Sequence, residues 1–255
     1  VMGKVPELAL GFGGGVGAFQ SMAKIYNVVM SEYWQIIQKA LEPRFIDQAW
    51  KNWEAFGKKS GLFADDWLAS EAVKLAWRDR HPGIRGCWYD AESCAIKAIQ
   101  NPGRWFTFAK GKCAFGAAYV GAKQFLVSRL PSGRRIYRAD VRLKAVTKFG
   151  KPSFEIWFKT VDSITKQWIE TNTYGGDLFQ SYVQAAACDI MRNGWANVEE
   201  DGFDVVLSVH DEVGAEGDED RSLDDFIAGM ERIPKWAEGC PVSAAGYVAK
   251  RYRKD

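Results

Sequence analysis

Hydrophobic residues recur at helical spacing through the first hundred positions of the chain and then switch to strand-like alternation. Helical patterns cover about 31–60 and 65–100. In the second stretch Trp67, Val73, Ala76 and Trp77 precede a breaker at His81-Pro82-Gly83, and Trp88, Ala91, Ala95 and Ile99 resume the period after it. Ahead of these, residues 4–10 read as the end of a helix, broken by the glycine-rich run Gly11 to Gly17. A second helix over roughly Ala18–Tyr26 follows that run. Beyond 104, residues 104–120 alternate weakly. The runs 125–130 and 135–138 flank the turn Pro131-Ser132-Gly133, a hairpin pattern, and Phe154–Phe158 is a short strand.

After the Gly175-Gly176 break, Asp177 with Gln180 three positions on reads as a capping-box-like helix start. The helix that follows, to about Val198, lines up Leu178, Tyr182, Ala186 and Ile190 on one stripe, with Gln180 and Gln184 on another. Phe203, Val205, Leu207 and Val209 then alternate as a half-buried strand that runs into His210-Asp211-Glu212, and Val213–Glu216 returns. A short helix covers about 222–232. This order of helices, hairpins, long helix, hairpin and short helix predicts an α+β fold with antiparallel hairpins and excludes a regular βαβ series.

A chain of 255 residues can bury a sizeable core, and aromatics at 14%, with eleven tryptophans, provide large packing or stacking surfaces. No apolar run approaches the ~20 residues of a membrane span, so no membrane partner is expected. Five cysteines, odd in number and without a CxxC pair, argue against a disulfide framework or a zinc site and fit a reducing cytoplasm. Net charge is only +2, so nucleic-acid binding depends on where the charge sits. Arg129, Arg134, Arg135, Arg138, Arg142 and Lys144 crowd one stretch where guanidinium groups could track phosphates, although a hairpin face is more commonly just solvated.

The sharpest local feature is Val209-His210-Asp211-Glu212. A hairpin tip fixes side chains while leaving them open, and adjacent acids there suit a hard cation such as Mg²⁺. By spacing alone an acidic turn between strands is the commoner meaning. The glycine run lacks GxGxxG spacing, follows a helix, and has no GK[ST] after it, which speaks against dinucleotide and P-loop sites.

Read in order, these pieces resemble the family A DNA polymerases, the bacterial polymerase I type, in their bacteriophage form. Lys4 through Phe19, with Phe12-Gly13 eight residues after the lysine, looks like the O-helix motif of the fingers. Leu130 to Tyr137 looks like the hairpin after the fingers, and Tyr174 to Ile190 like the helix that supports the primer. Val209 to Val213 looks like motif C of the palm, and Pro241 to Tyr247 fits the group's closing strand. The resemblance implies a fingers segment over 1–128 and a palm segment over 129–255.

It also implies roles. Lys4 would neutralise the triphosphate of the incoming nucleotide, and Phe12 with Gly13 would form the insertion site. Gln180, Gln184 and His210 would contact the primer terminus, and Arg134 and Arg135 the DNA backbone. Asp211, with Glu212 beside it, would bind the catalytic Mg²⁺ pair. The partners implied are primer-template DNA and deoxynucleoside triphosphates, in the cytoplasm of a bacterial host.

Departures accompany the resemblance. The family's O-helix arginine falls ahead of Val1, Leu8 stands where bacterial members carry an aromatic, and Gln180-Ser181 replaces a Glu-Asn pair. Motif A, which lies upstream of the O helix in the family, has no copy here. The expectation is therefore an incomplete polymerase, inactive alone, whose upstream portion carries motif A on the same precursor or a second subunit. Two alternatives stand beside it: a non-catalytic nucleic-acid-binding module derived from a polymerase, and a metal-dependent nuclease using Asp211 and Glu212.

Overall fold

Proline fixes two of the helix boundaries. Pro43 and Pro82 each occupy a first helical turn, where the missing N–H would have no intrahelical partner anyway. The expected breaker at 81–83 is accordingly a single-residue interruption, with His81 out of helical conformation between α5 (Ala64–Arg80) and α6 (Pro82–Gln100). The computed structural model describes residues 3–148, 150–218 and 221–252. The early helices are α1 (Lys4–Leu10), α2 (Val16–Ile25), α3 (Trp34–Ala40) and α4 (Pro43–Ala55). The strands β1 (Trp105–Phe108), β2 (Cys113–Val120), β3 (Lys123–Arg129), β4 (Arg135–Lys148), β5 (Lys151–Val161) and β6 (Trp168–Thr173) then form one sheet in sequential order. Helix α7 (Gly175–Glu200), the hairpin β7 (Asp204–Val209) and β8 (Glu212–Glu216), and α8 (Leu223–Glu231) complete the chain. The fold is α+β, with helices and antiparallel sheets segregated along the sequence.

The chain divides into two units. The first holds Val1–Ser128 and Tyr137–Gln180, the second Arg129–Ile136 and Ser181–Asp255. In the first, α1 to α5 close around Val5, Leu10, Phe19, Met30, Trp34, Trp67 and Leu68, all buried. Burying a side chain such as Phe19 contributes roughly 2–3 kcal/mol. One buried polar link crosses this core: Gln20 Nε2 donates to Ser70 Oγ at 2.6 Å and to the Asp66 carbonyl at 2.9 Å. A second surrounds Glu71, whose carboxylate is fully buried, accepts from Asn52 Nδ2 at 2.8 Å and pairs with the Lys74 ammonium. Helix α6 lays Ala91, Cys94, Ala95 and Ala98 on β1 and β2, small side chains that admit the stacked rings of Phe108 and Phe115.

In the second unit α8 rests on α7, with Gly229 against Val198 and the ring of Phe226 meeting Phe203 edge-on at 5.1 Å. Asn193 and Asn197 donate to the Arg232 carbonyl and close the end of α8. Ser222 caps its start by accepting from Asp225 N.

Three local expectations change. Helix α7 begins at Gly175, so Asp177 lies inside the first turn and bonds Thr173 Oγ1; it favours that position through the helix dipole and is not the N-cap. Strand β6 follows β5 as an edge strand that the alternation had not disclosed. Pro241–Tyr247, expected as a closing strand, forms no strand; it runs irregularly, with Gly246 against Leu223. Among the described residues no helix is long and apolar enough to cross a membrane.

Candidate nucleotide and primer site

Helix α1 ends at Leu10 because glycines at 11 and at 13 to 15 supply no side chains to pack and Gly13 takes a left-handed φ of 82°. Lys4 and Leu8, one turn apart, form its exposed stripe, with Lys4 Nζ 5.9 Å from the Tyr26 ring centroid. Phe12 follows the helix in the turn, half-buried. The structure therefore puts Lys4, Phe12 and Gly13 in the first unit, on one helix and the turn that ends it.

What surrounds that turn was not visible in the sequence. Trp88 Nε1 donates to the Gly11 carbonyl at 3.0 Å, Tyr174 Oη to that of Phe12 at 3.2 Å, and Arg78 Nη2 to those of Gly13 and Gly14 at 3.3 and 3.0 Å. One turn earlier, Trp77 Nε1 donates to Glu7 Oε1 at 2.9 Å. Trp77 is sandwiched between His81 and Trp88, at centroid distances of 4.3 and 6.2 Å, and the Arg78 guanidinium lies 5.7 Å from the Trp88 ring. Desolvation pulls Arg78 below the usual guanidinium range, and partial burial pushes the Tyr174 phenol up, so the phenol remains a donor at neutral pH. The Gly175-Gly176 break has its reason here: a Cβ at Gly176 would drive into the Phe12 carbonyl, and one at Gly175 into that of Trp88.

In the second unit the hairpin β7–β8 pairs Val209 with Glu212 across a two-residue turn. His210 adopts φ 55°, a left-handed conformation for a non-glycine residue that costs of order 1–3 kcal/mol and concentrates at functional sites. His210, Asp211 and Glu212 are all exposed at the tip. Glu212 Oε2 accepts from Tyr252 Oη at 2.6 Å, and that bond raises the Tyr252 phenol. Asp211 has no hydrogen bond or ion pair among the described residues, which leaves both carboxylate oxygens open. On α7, half-buried Gln180 is the last residue of the first unit, and exposed Gln184 belongs to the second.

The basic stretch is more committed than its sequence suggests. Arg134 Nε pairs with Asp189 at 2.6 Å and its Nη2 donates to the Ala185 carbonyl at 3.0 Å. Arg138 is buried, donating to Ser128 Oγ and facing the Phe158 ring. Arg142 pairs with Glu170, and Lys144 lies 5.0 Å from the Trp157 ring centroid. Arg135 lies at the first position of β4. A cleft of ≈ 670 Å³ beside α8 is lined by Arg221 and Arg232, but Asp201 already engages both.

Over 254 residues, 99% of its length, the chain is 31% identical to a protein named DNA polymerase from Bacillus phage SP02. It spans 32% of that protein. No family model matches the chain, and no solved structure matches it. The similarity to a protein named DNA polymerase thus extends over nearly the whole chain.

Proposed function

We infer that this chain is the fingers-and-palm portion of a family A DNA polymerase and takes part in template-directed DNA synthesis. Asp211 carries the reading: a carboxylate with open oxygens, held at the tip of a paired hairpin beside a histidine in left-handed conformation.

In this reading the primer 3′-oxygen bonds the α-phosphorus of a deoxynucleoside triphosphate as the bond to pyrophosphate breaks. Asp211 and Glu212 offer the hard oxygen donors that Mg²⁺ takes. Among the described residues no three His, Cys, Asp or Glu side chains gather to hold an ion, so the remaining ligands are assigned to an upstream portion carrying motif A. Two bound Mg²⁺ ions would supply activation of the attacking hydroxyl and stabilisation of the leaving pyrophosphate. Lys4, exposed on α1, offsets triphosphate charge, and Phe12 with Gly13 shapes the space for the new base pair. Exposed His210 and Gln184, with half-buried Gln180, donate to the primer strand. Arg135 contacts the DNA backbone, and Arg134 supports it by holding its turn against α7. Glu212, tied by Tyr252, steadies the turn beside Asp211.

The test is Mg²⁺-dependent incorporation on a primed template by this chain joined to its motif A portion. Synthesis is expected from the joined protein and not from the chain alone, which should bind primer-template weakly. Asp211→Ala should abolish incorporation and leave DNA affinity nearly intact. Retained synthesis would remove Asp211 from the chemistry. DNA binding without synthesis in every combination would instead favour the non-catalytic module.

A further inference from the structure

Four successive backbone carbonyls, Gly11 to Gly14, each accept a hydrogen bond from a side chain, and the three donor residues come from separate parts of the first unit. We propose that Arg78, Trp88 and Tyr174 are positioning residues that fix the Phe12 peptide and thereby set the shape of the nucleotide insertion site. The proposal rests on the reading of Phe12 given above.

A helix C-terminus leaves its last carbonyls without intrahelical partners, and solvent or a following turn usually satisfies them. Here the turn does so at the end of α1, with Gly11 N donating to the Glu7 carbonyl and Gly13 N to that of Leu10. The turn's own carbonyls, at residues 11 to 14, are satisfied by donors that are themselves locked. Trp88 is buried and stacked on Trp77. Arg78 is half-buried, spans two carbonyls with one nitrogen, and has its Nε buried without a partner among the described residues. Keeping a half-buried cation on the neutral carbonyls of a turn carries a desolvation cost that a water-exposed turn would avoid. What the arrangement adds is definition. The Phe12 carbonyl is held by Tyr174 Oη, and Gly176 approaches it closely enough to exclude any Cβ. The peptide cannot rotate without breaking a bond or colliding, so the backbone from which the Phe12 ring projects is set by residues far along the sequence. Tyr174 also precedes α7, the helix bearing Gln180, so the turn and that helix start share one anchor.

The experiment is single-turnover incorporation, normalised to active sites, by the polymerase that joins this chain to its motif A portion. Arg78→Ala is expected to lower kcat/KM for the correct nucleotide by about ten- to a hundredfold and to reduce discrimination against mismatches, with primer-template Kd unchanged. Arg78→Lys should recover part of the loss, because an ammonium still reaches a carbonyl. Should Arg78→Ala fail to fold, Tyr174→Phe, which removes one hydroxyl, should show the same pattern at about two- to fivefold. A variant that loses only its active fraction, with unchanged kcat/KM and discrimination per site, overturns the positioning role and leaves the polymerase reading standing. A parent protein that incorporates nothing overturns both.

Discussion

The Arg134 guanidinium meets the Asp189 carboxylate at 2.6 Å and ties the turn after β3 to the flank of α7. Ser132 Oγ donates to the other oxygen of the same carboxylate. The aspartate side chain is 9% exposed and the arginine 39%, so the pair is half-screened by solvent. Asp189→Asn should therefore destabilise the protein by about 1–2 kcal/mol in urea unfolding. Combined with Arg134→Ala, it should cost little more than the larger single change, the signature of a shared interaction.

At the hairpin tip, stability and activity should separate. His210→Gly removes the left-handed strain and adds the entropy cost of glycine, for a net gain below about 1 kcal/mol. Primer extension by the joined polymerase should fall at the same time. Thermal melting and extension measured on one preparation check this, and a loss of both would assign the imidazole to the fold.

Buried Glu71 makes Lys74 a sensitive position. Lys74→Ala leaves a fully buried carboxylate with Asn52 as its remaining donor and should destabilise by about 3 kcal/mol. Equilibrium unfolding of Lys74→Ala against Lys74→Arg measures it, since Arg keeps the charge.

Burial raises the Cys113 thiol from 9.0 to about 11. The unfolded thiol thus loses its proton first as pH rises, so this group's contribution is intact below pH 9 and is lost between pH 9 and 11. Alkylation of the native protein at pH 8 should mark exposed Cys188 and Cys240 and spare Cys113 until denaturant is added. Mass mapping of the labelled peptides reads the outcome.

The helices were legible because their boundaries are written in local chemistry, as at Pro82, and the β3–β4 turn because Pro131-Ser132-Gly133 has few other uses. Strand β6 was not, since an edge strand with Glu170, Thr171 and Asn172 in succession shows no buried face in its sequence. Lys4, Phe12 and the acids at 211 and 212 were singled out by motif resemblance. Arg78, Trp88 and Tyr174 were missed for a physical reason. They act on backbone carbonyls 64 to 162 positions away, and a carbonyl looks the same under every residue type. The doubled glycine at 175–176 was the one available clue, because it marks a site where another backbone approaches.

The left-handed geometry at position 210 has a consequence beyond this molecule. Glycine occupies such a conformation at no steric cost, so a copy drifting without selection would slide toward it. On the proposed reading of His210 as a primer contact, histidine retained there in diverged copies would mark lineages still under pressure to copy DNA, and its replacement would mark decayed ones.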